Sequence, residues 1–324
     1  GWGYWALVGQ ALATQAIRLA LVFVASDYRP GPPRAGVGTR GLVAFGGYLT
    51  AYALVTYVGR NLDNILIGRS WGPAALGYYA RAYFLMSLPL MLAANALSGV
   101  MVPALSALEH DRERLGQAYR EATRAVALVG LPLAALLLVA APELVRLLYG
   151  DRWTAVGPLL RWLALAAMAQ TVVASSGWLY IALGRGRALL LVGLALTTVQ
   201  AAALVVGNRW GPRGVAIAYT LASLALALPT LWAAHGVAAL HLAATLRAVG
   251  PVLAVTAIAT AAGLAAGMAA TRLSDSWAVL LAAKVACGVI SFLACGLDSS
   301  GIWRPGPLRG GGGIPREGHD GGAA

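Results

Sequence analysis

The residues with the most chemical content form one cluster inside an apolar stretch, Arg60-Asn61-Leu62-Asp63-Asn64-Ile65-Leu66-Ile67-Gly68. It is followed at once by Gly72-Pro73-Ala74-Ala75-Leu76-Gly77-Tyr78-Tyr79-Ala80-Arg81. A guanidinium stays charged and presents a planar fork of donors, so Arg60 suits an anionic group such as a phosphate or carboxylate. At helical spacing Tyr57, Arg60, Asn61 and Asn64 share one face, with Asp63 at its shoulder. An antiparallel neighbouring helix would return Arg81 beside Asp63, and the two are expected to pair as a brace. Arg60, three residues from Asp63, is a second partner within reach. The asparagines then serve as interhelical hydrogen-bonding groups or as the wall of a solvated cavity. Arg18 lies about two turns from the end of its own apolar stretch, where it snorkels to headgroups or faces the same cavity. Lys284 is a lone cation in the last apolar stretch with no acid near it in sequence, and it is expected to face a groove or a surface for a lipid tail. Asn95, Gln170 and Gln200 are single amides and read as glue between helices.

These groups are placed by an unusually greasy chain. Of 324 residues, 59% are hydrophobic and 11% are charged, where a soluble domain carries about 25% charged residues. Mean hydropathy is +0.72, and apolar runs such as 6–25, 125–141 and 188–207 match the roughly 20 residues that cross a bilayer. The pattern predicts nine membrane spans, at 3–25, 41–68, 77–106, 123–142, 157–183, 187–207, 213–234, 248–270 and 276–297. The segment 107–124 puts Leu108, Leu115, Tyr119 and Ala122 near one face and charges around the rest, which predicts a short helix lying on the membrane surface.

The formal net charge of +12 comes almost wholly from arginines scattered between apolar runs. That distribution points to topology and a few intramembrane sites, with no nucleic-acid partner. Counting Arg in the connections puts thirteen on the side of the 26–40 loop, the 107–122 segment and the tail, and six on the other. The richer side is expected to be cytoplasmic, the C-terminus included. His110, His235, His241 and His319 fall in predicted loops or at span ends. With no paired cysteines or carboxylates near them, and no serine in a nucleophile elbow, neither an enzyme nor a metal or other cofactor is expected. The chain opens on Gly1, directly into a span, so residues upstream of it are expected.

The stretch from Arg60-Asn61-Leu62-Asp63-Asn64 through Gly72, Leu76-Gly77-Tyr78-Tyr79 and Ala82 resembles the polysaccharide biosynthesis flippases, Wzx-type members of the MOP exporter superfamily. So do Gly3-Tyr4-Trp5-Ala6-Leu7-Val8-Gly9-Gln10, Pro103-Ala104-Leu105-Ser106 and Leu183-Gly184-Arg185. The resemblance implies an all-α polytopic fold of fourteen helices, two six-helix lobes and two further helices, of which this chain carries the later part. On that plan 1–26 is the last helix of an incomplete first lobe and 27–40 a cytoplasmic linker. Residues 41–234 are the second lobe, 235–297 the two additional helices, and 298–324 a disordered tail.

The implied activity is translocation of a polyprenyl-diphosphate-linked oligosaccharide across the cytoplasmic (inner) membrane, for export polysaccharide or O-antigen synthesis. Membrane lipids are its surroundings, and a polysaccharide polymerase or glycosyltransferases are further expected partners. Arg60, Asn64, Asn61 and Arg18 are the expected substrate contacts, the arginines suiting the anionic diphosphate, and Asp63 with Arg81 the structural pair. A lipid II-type flippase, a multidrug exporter of the same superfamily and a non-transporting fragment stand as alternatives.

Overall fold

In the computed structural model the described residues are 5–26, 39–271 and 276–298. The expected linker at 27–38 and the tail beyond 298 lie outside them. Every regular element among the described residues is helical. They divide into two compact units, 1–43 and 44–324. The first contains α1, Trp5–Ala25, an apolar helix exposed along its described length.

The second unit begins within α2, Arg40–Leu90, which is broken at Gly72. There φ is +82° and ψ 175°, a conformation glycine adopts at no steric cost. Pro73 follows with its φ already set for a new helix start. The arm 40–71 therefore ends and the arm 73–90 runs back beside it, with Ile67 and Tyr79 in one core. Pro89 removes one hydrogen-bond donor near the end of the second arm, and the next turn, Met91–Asn95, widens into a π-helix. α3, Ala96–Ala107, completes that passage.

α4 runs unbroken over Arg112–Val139, capped by the Asp111 carboxylate, which accepts from the Arg114 amide at 3.1 Å. The short surface helix expected over 107–124 is thus the first turns of a spanning helix. Its apolar face, with Leu115, Tyr119 and Ala122, is buried as that pattern requires, but no breaker separates it from the apolar run that follows. α5, Ala141–Tyr149, is followed by α6, Val156–Val173, and α7, Ser176–Ala182. Then come α8, Gly186–Gly207, α9, Gly211–Ala238, α10, Leu242–Ala270, and α11, Trp277–Asp298.

Seven stretches of the described residues are long and apolar enough to cross a membrane. Two of these, 40–94 with 55 residues and 186–238 with 53, double back at Gly72 and at the turn 208–210. The nine expected spans are accommodated in this way, and the chain is a multi-pass, all-α membrane protein.

One core gathers Ile67, Tyr79, Leu85, Leu160, Leu163 and Val215 from α2, α6 and α9. Another gathers Leu105, Leu115, Tyr119, Val126, Trp178 and Leu179 from α3, α4 and α7. α10 seats on α4 through Val249 and Val252 against Ala127 and Leu131. Lys284 of α11 is not the lone cation the sequence suggested. Its Nζ lies 2.7 Å from Oε1 of Glu143 on α5, with the two side chains 9% and 8% exposed. The partner stands 141 residues away in sequence, and Oε2 of the same carboxylate is buried with no hydrogen-bond partner.

Removing one member of such a pair strands a buried charge, whereas removing both does not. Lys284→Met should therefore lower stability by about 3–5 kcal/mol, read as a drop in the thermal midpoint of the detergent-solubilised protein. The double variant Lys284→Met, Glu143→Leu should recover most of it; a double variant no better than the single would show that the pair is not what suffers.

Candidate functional site

The polar face of the first arm of α2 points into the second unit in a rotated sense from the one expected. An open cavity of about 380 Å³ lies among α2, α6, α7, α8 and α9, and the first arm of α2 lines it with Tyr52, Thr56, Gly59 and Arg60. Across it stand Gln170, Trp178, Tyr180, Thr197, Gln200 and Tyr219. Its floor is made by close helix approach. A Cβ at Gly59 would strike Thr197 at 2.5 Å, and one at Gly193 would strike the ring of Tyr52, so α2 and α8 meet there only because both positions lack side chains.

Arg60 is exposed, lines the cavity, and forms no hydrogen bond or ion pair with another described residue. It is the single Arg in the lining, which holds no Lys, His, Asp or Glu among the described residues. By helix rise, Arg60 sits about 16 Å along the axis from the turn at Trp71, well inside an apolar span. A charge at that depth needs a polar ligand, a partner or water.

The other expected contacts are placed differently. Tyr57 is exposed on a different side of α2 and does not line the cavity. Asn61 donates from Nδ2 to the Tyr57 carbonyl at 2.8 Å within its own helix. The Asn64 amide N–H donates to Asp63 Oδ1 at 2.8 Å, and Asn64 Oδ1 is buried without a hydrogen-bond partner. Arg18 lies exposed on α1 in the first unit. Asn95 falls where side chains are not described.

The expected Asp63–Arg81 brace is not formed. Asp63, 1% exposed, accepts a hydrogen bond at 2.9 Å from the hydroxyl of Tyr79, which is itself fully buried. Arg81 instead lies over the rings of Tyr149 and Trp153, 5.7 and 5.8 Å from their centroids. The reason is helical geometry. Residues two apart project from nearly opposite sides of a helix, so once Tyr79 faces Asp63, Arg81 cannot. A tyrosine hydroxyl also satisfies a buried carboxylate without bringing a second charge out of water.

From Tyr79 a polar seam continues along the cavity wall. The Tyr79 and Tyr83 rings lie 6.2 Å apart, and the Tyr83 and Tyr219 hydroxyls are 3.3 Å apart. Gln170 Nε2 donates to the Tyr219 hydroxyl at 2.7 Å, and Gln200 Nε2 to the Tyr219 carbonyl at 3.3 Å. Both glutamines thus join helices, as expected for single amides, and both also line the cavity. Sequence reasoning missed the tyrosines because it ranked polar residues by charge, and a tyrosine carries none. Tyr52, Tyr83 and Tyr219 lie well inside apolar stretches, and a hydroxyl at that depth signals a buried partner or a wet space. His235 lies in the last turn of its helix, at a span end as expected, but is not exposed there. It is buried within α9, its Nδ1 2.7 Å from the Leu231 carbonyl and Nε2 2.9 Å from Thr245 Oγ1 on α10.

The fold has a counterpart among solved membrane proteins. The fold aligns with the inward closed conformation of the lipid II flippase MurJ at a TM-score of 0.62 and 16% sequence identity, over 78% of this chain and 53% of that one. In sequence, residues 1–158 match the family model described as "Polysaccharide biosynthesis protein". The lipopolysaccharide biosynthesis protein WzxC of Escherichia coli (strain K12) is 26% identical over 216 residues, covering 66% of this chain and 44% of that protein. The teichuronic acid biosynthesis protein TuaB of Bacillus subtilis (strain 168) is 28% identical over 177 residues, covering 52% and 37%. Over these stretches the chain is similar to polysaccharide biosynthesis proteins. Its aligned part spans less than half the length of these two curated relatives.

The hydrogen bond, not an ion pair, sets the energetics at Asp63. Asp63→Asn and Tyr79→Phe should be coupled by about 0.5–3 kcal/mol in a double-mutant cycle of thermal stability. Asp63→Asn and Arg81→Ala should add within about 0.5 kcal/mol. Coupling to Arg81 and none to Tyr79 would reverse the assignment.

Proposed function

We propose that this chain is part of a flippase that moves a polyprenyl-diphosphate-linked oligosaccharide across the cytoplasmic membrane, and that it acts as a transporter rather than an enzyme. The observation that carries this reading is Arg60, an exposed guanidinium deep in an apolar helix, opening on a cavity walled by amides, hydroxyls and aromatic rings. Such a lining offers an anion contact and hydrogen-bond partners for a saccharide inside a membrane that supplies neither. The relationship to polysaccharide biosynthesis proteins supports the class of cargo.

In this reading Arg60 is the substrate contact on α2, while Asn61 and Asn64 act from within the helix bundle. Arg18, on the last helix of a first lobe, is a further proposed substrate contact. Residues 41–234 form the second lobe and 235–297 two added helices, with the C-terminus cytoplasmic on the arginine distribution. A lining without Asp or Glu among the described residues disfavours an organic-cation cargo.

The test is transport in proteoliposomes holding the protein and a fluorescent polyprenyl-diphosphate oligosaccharide, scored by accessibility of the sugar to an external lectin. The protein should equalise the two leaflets, and Arg60→Ala should slow this about tenfold or more with the thermal midpoint unchanged. Vesicles in which the protein moves no lipid-linked saccharide would sink the reading, and unimpaired transport by the variant would remove Arg60 from the site.

A further inference from the structure

On the arginine-rich side of the topology, three connections meet around a second, polar pocket of about 250 Å³. They are the loop before α4, the turn between α7 and α8, and the link from α9 to α10. Local backbone builds each of them. Asp111 caps α4 and sets Arg112 as its first residue. Gly184, at φ +64°, turns the chain after α7, and the Arg185 amide donates to the Tyr180 carbonyl at 2.8 Å. Ala239, at φ +52°, ends α9 in the left-handed conformation. Arg112 and Arg185, distant in sequence, thereby line one space.

Both guanidiniums belong to exposed residues and have no ion-pair or hydrogen-bond partner among the described residues. Arg114, two positions on from Arg112, is by contrast engaged, its Nε 3.3 Å from Asp111 Oδ2. Among the described residues Glu109 supplies the lining's one carboxylate. Its Oε1 lies 3.4 Å from Nε2 of His110, which also lines the pocket. Two arginines and one glutamate leave a single net positive charge when the histidine is neutral. One phosphodiester matches that count, and two guanidinium forks suit its two free oxygens. A zwitterionic headgroup brings no net charge to meet it.

Position selects a lipid over a soluble anion. Arg112 opens one stretch of membrane-spanning length, and the doubled-back stretch 186–238 both starts and ends at this pocket. Span ends lie at the level of the headgroups, where basic groups draw anionic lipids. Leu115, Leu183 and Val237 line the pocket beside the arginines, as a headgroup joined to apolar chains requires. Its volume holds a headgroup and falls below the roughly 300–1,000 Å³ of a site that takes in a whole small-molecule ligand.

We propose that this pocket is a binding site for a singly charged anionic phospholipid, its phosphodiester held between Arg112 and Arg185. It shares no lining residue with the cavity at Arg60 and does not depend on what is transported.

The experiment uses the whole protein, delipidated in detergent and titrated with dioleoyl phosphatidylglycerol or dioleoyl phosphatidylethanolamine. Native mass spectrometry counts bound lipid, and the thermal midpoint reports its effect on the fold. Phosphatidylglycerol should bind about tenfold or more tightly than phosphatidylethanolamine. It should also raise the midpoint, as a ligand of the folded state does, and lose affinity as salt rises. Arg112→Gln with Arg185→Gln should erase the preference. Arg209→Gln with Arg213→Gln removes the same charge from the other side of the topology and should leave it intact. Glu109→Gln should act in the opposite direction, tightening phosphatidylglycerol about two- to fivefold. That variant keeps the site testable if the double arginine variant does not fold.

Equal binding of the two lipids, parent-like binding by either pocket variant, or loss of the preference in the control pair would overturn the proposal. Inorganic phosphate at equal concentration should not displace phosphatidylglycerol. Displacement would make the pocket a site for a free anion and remove the lipid from it.

Discussion

Tyr219 ties the second unit together. Its hydroxyl accepts from Gln170 on α6 and meets the Tyr83 hydroxyl on the second arm of α2, and its carbonyl accepts from Gln200 on α8. Three helical segments converge on one residue of α9. In an apolar bundle surrounded by lipid there is little hydrophobic drive for helices to associate, so close packing and hydrogen bonds between them matter more than in water. Each polar atom placed there must find its partner inside the protein, which is why these bonds converge instead of scattering.

The same constraint explains the cavity beside that junction. The seam from Asp63 through Tyr79, Tyr83 and Tyr219 satisfies itself within the helices, and it holds α2, α6, α8 and α9 in register. Arg60 is left out of it. Glycines at 59 and 193 let α2 and α8 touch at Thr197 and Tyr52, and beside that contact the lining side chains do not close the space. Two polar groups on neighbouring positions of one helix are thus used differently, Asp63 on the seam and Arg60 on the cavity.

The ends of the two hairpins that build this region are also fastened to each other. Trp71 Nε1 donates to the Asn208 carbonyl at 3.1 Å, and Asn208 Nδ2 donates to Ser70 Oγ at 3.0 Å. Gly211 packs 3.6 Å from the Trp71 indole, measured from where its Cβ would stand. The turns at Gly72 and at 208–211 are therefore clasped together, and the two hairpins meet the cavity with their turns joined.

Much of this was legible in the sequence, because the determinants are local. Apolar runs of bilayer length dictate spanning helices whatever surrounds them, and Gly72-Pro73 dictates a reversal whatever lies beside it. The cost of a charge in an apolar helix singled out Arg60 without any knowledge of its neighbours. Partners were not legible. Ranking by charge put Arg81 against Asp63 and left Lys284 alone, whereas the fold gave Asp63 to Tyr79 and Lys284 to Glu143. The helical wheel grouped Arg60 with Tyr57, Asn61 and Asn64, while the packed helix presents it with Tyr52, Thr56 and Gly59. The sequence by itself determined which segments cross the membrane and which polar groups had to be accommodated there. Only the tertiary structure decided how each helix is rotated about its axis, because that angle is set by what the neighbouring helices can pack against, and a rotation of one residue exchanges a brace for a cavity wall.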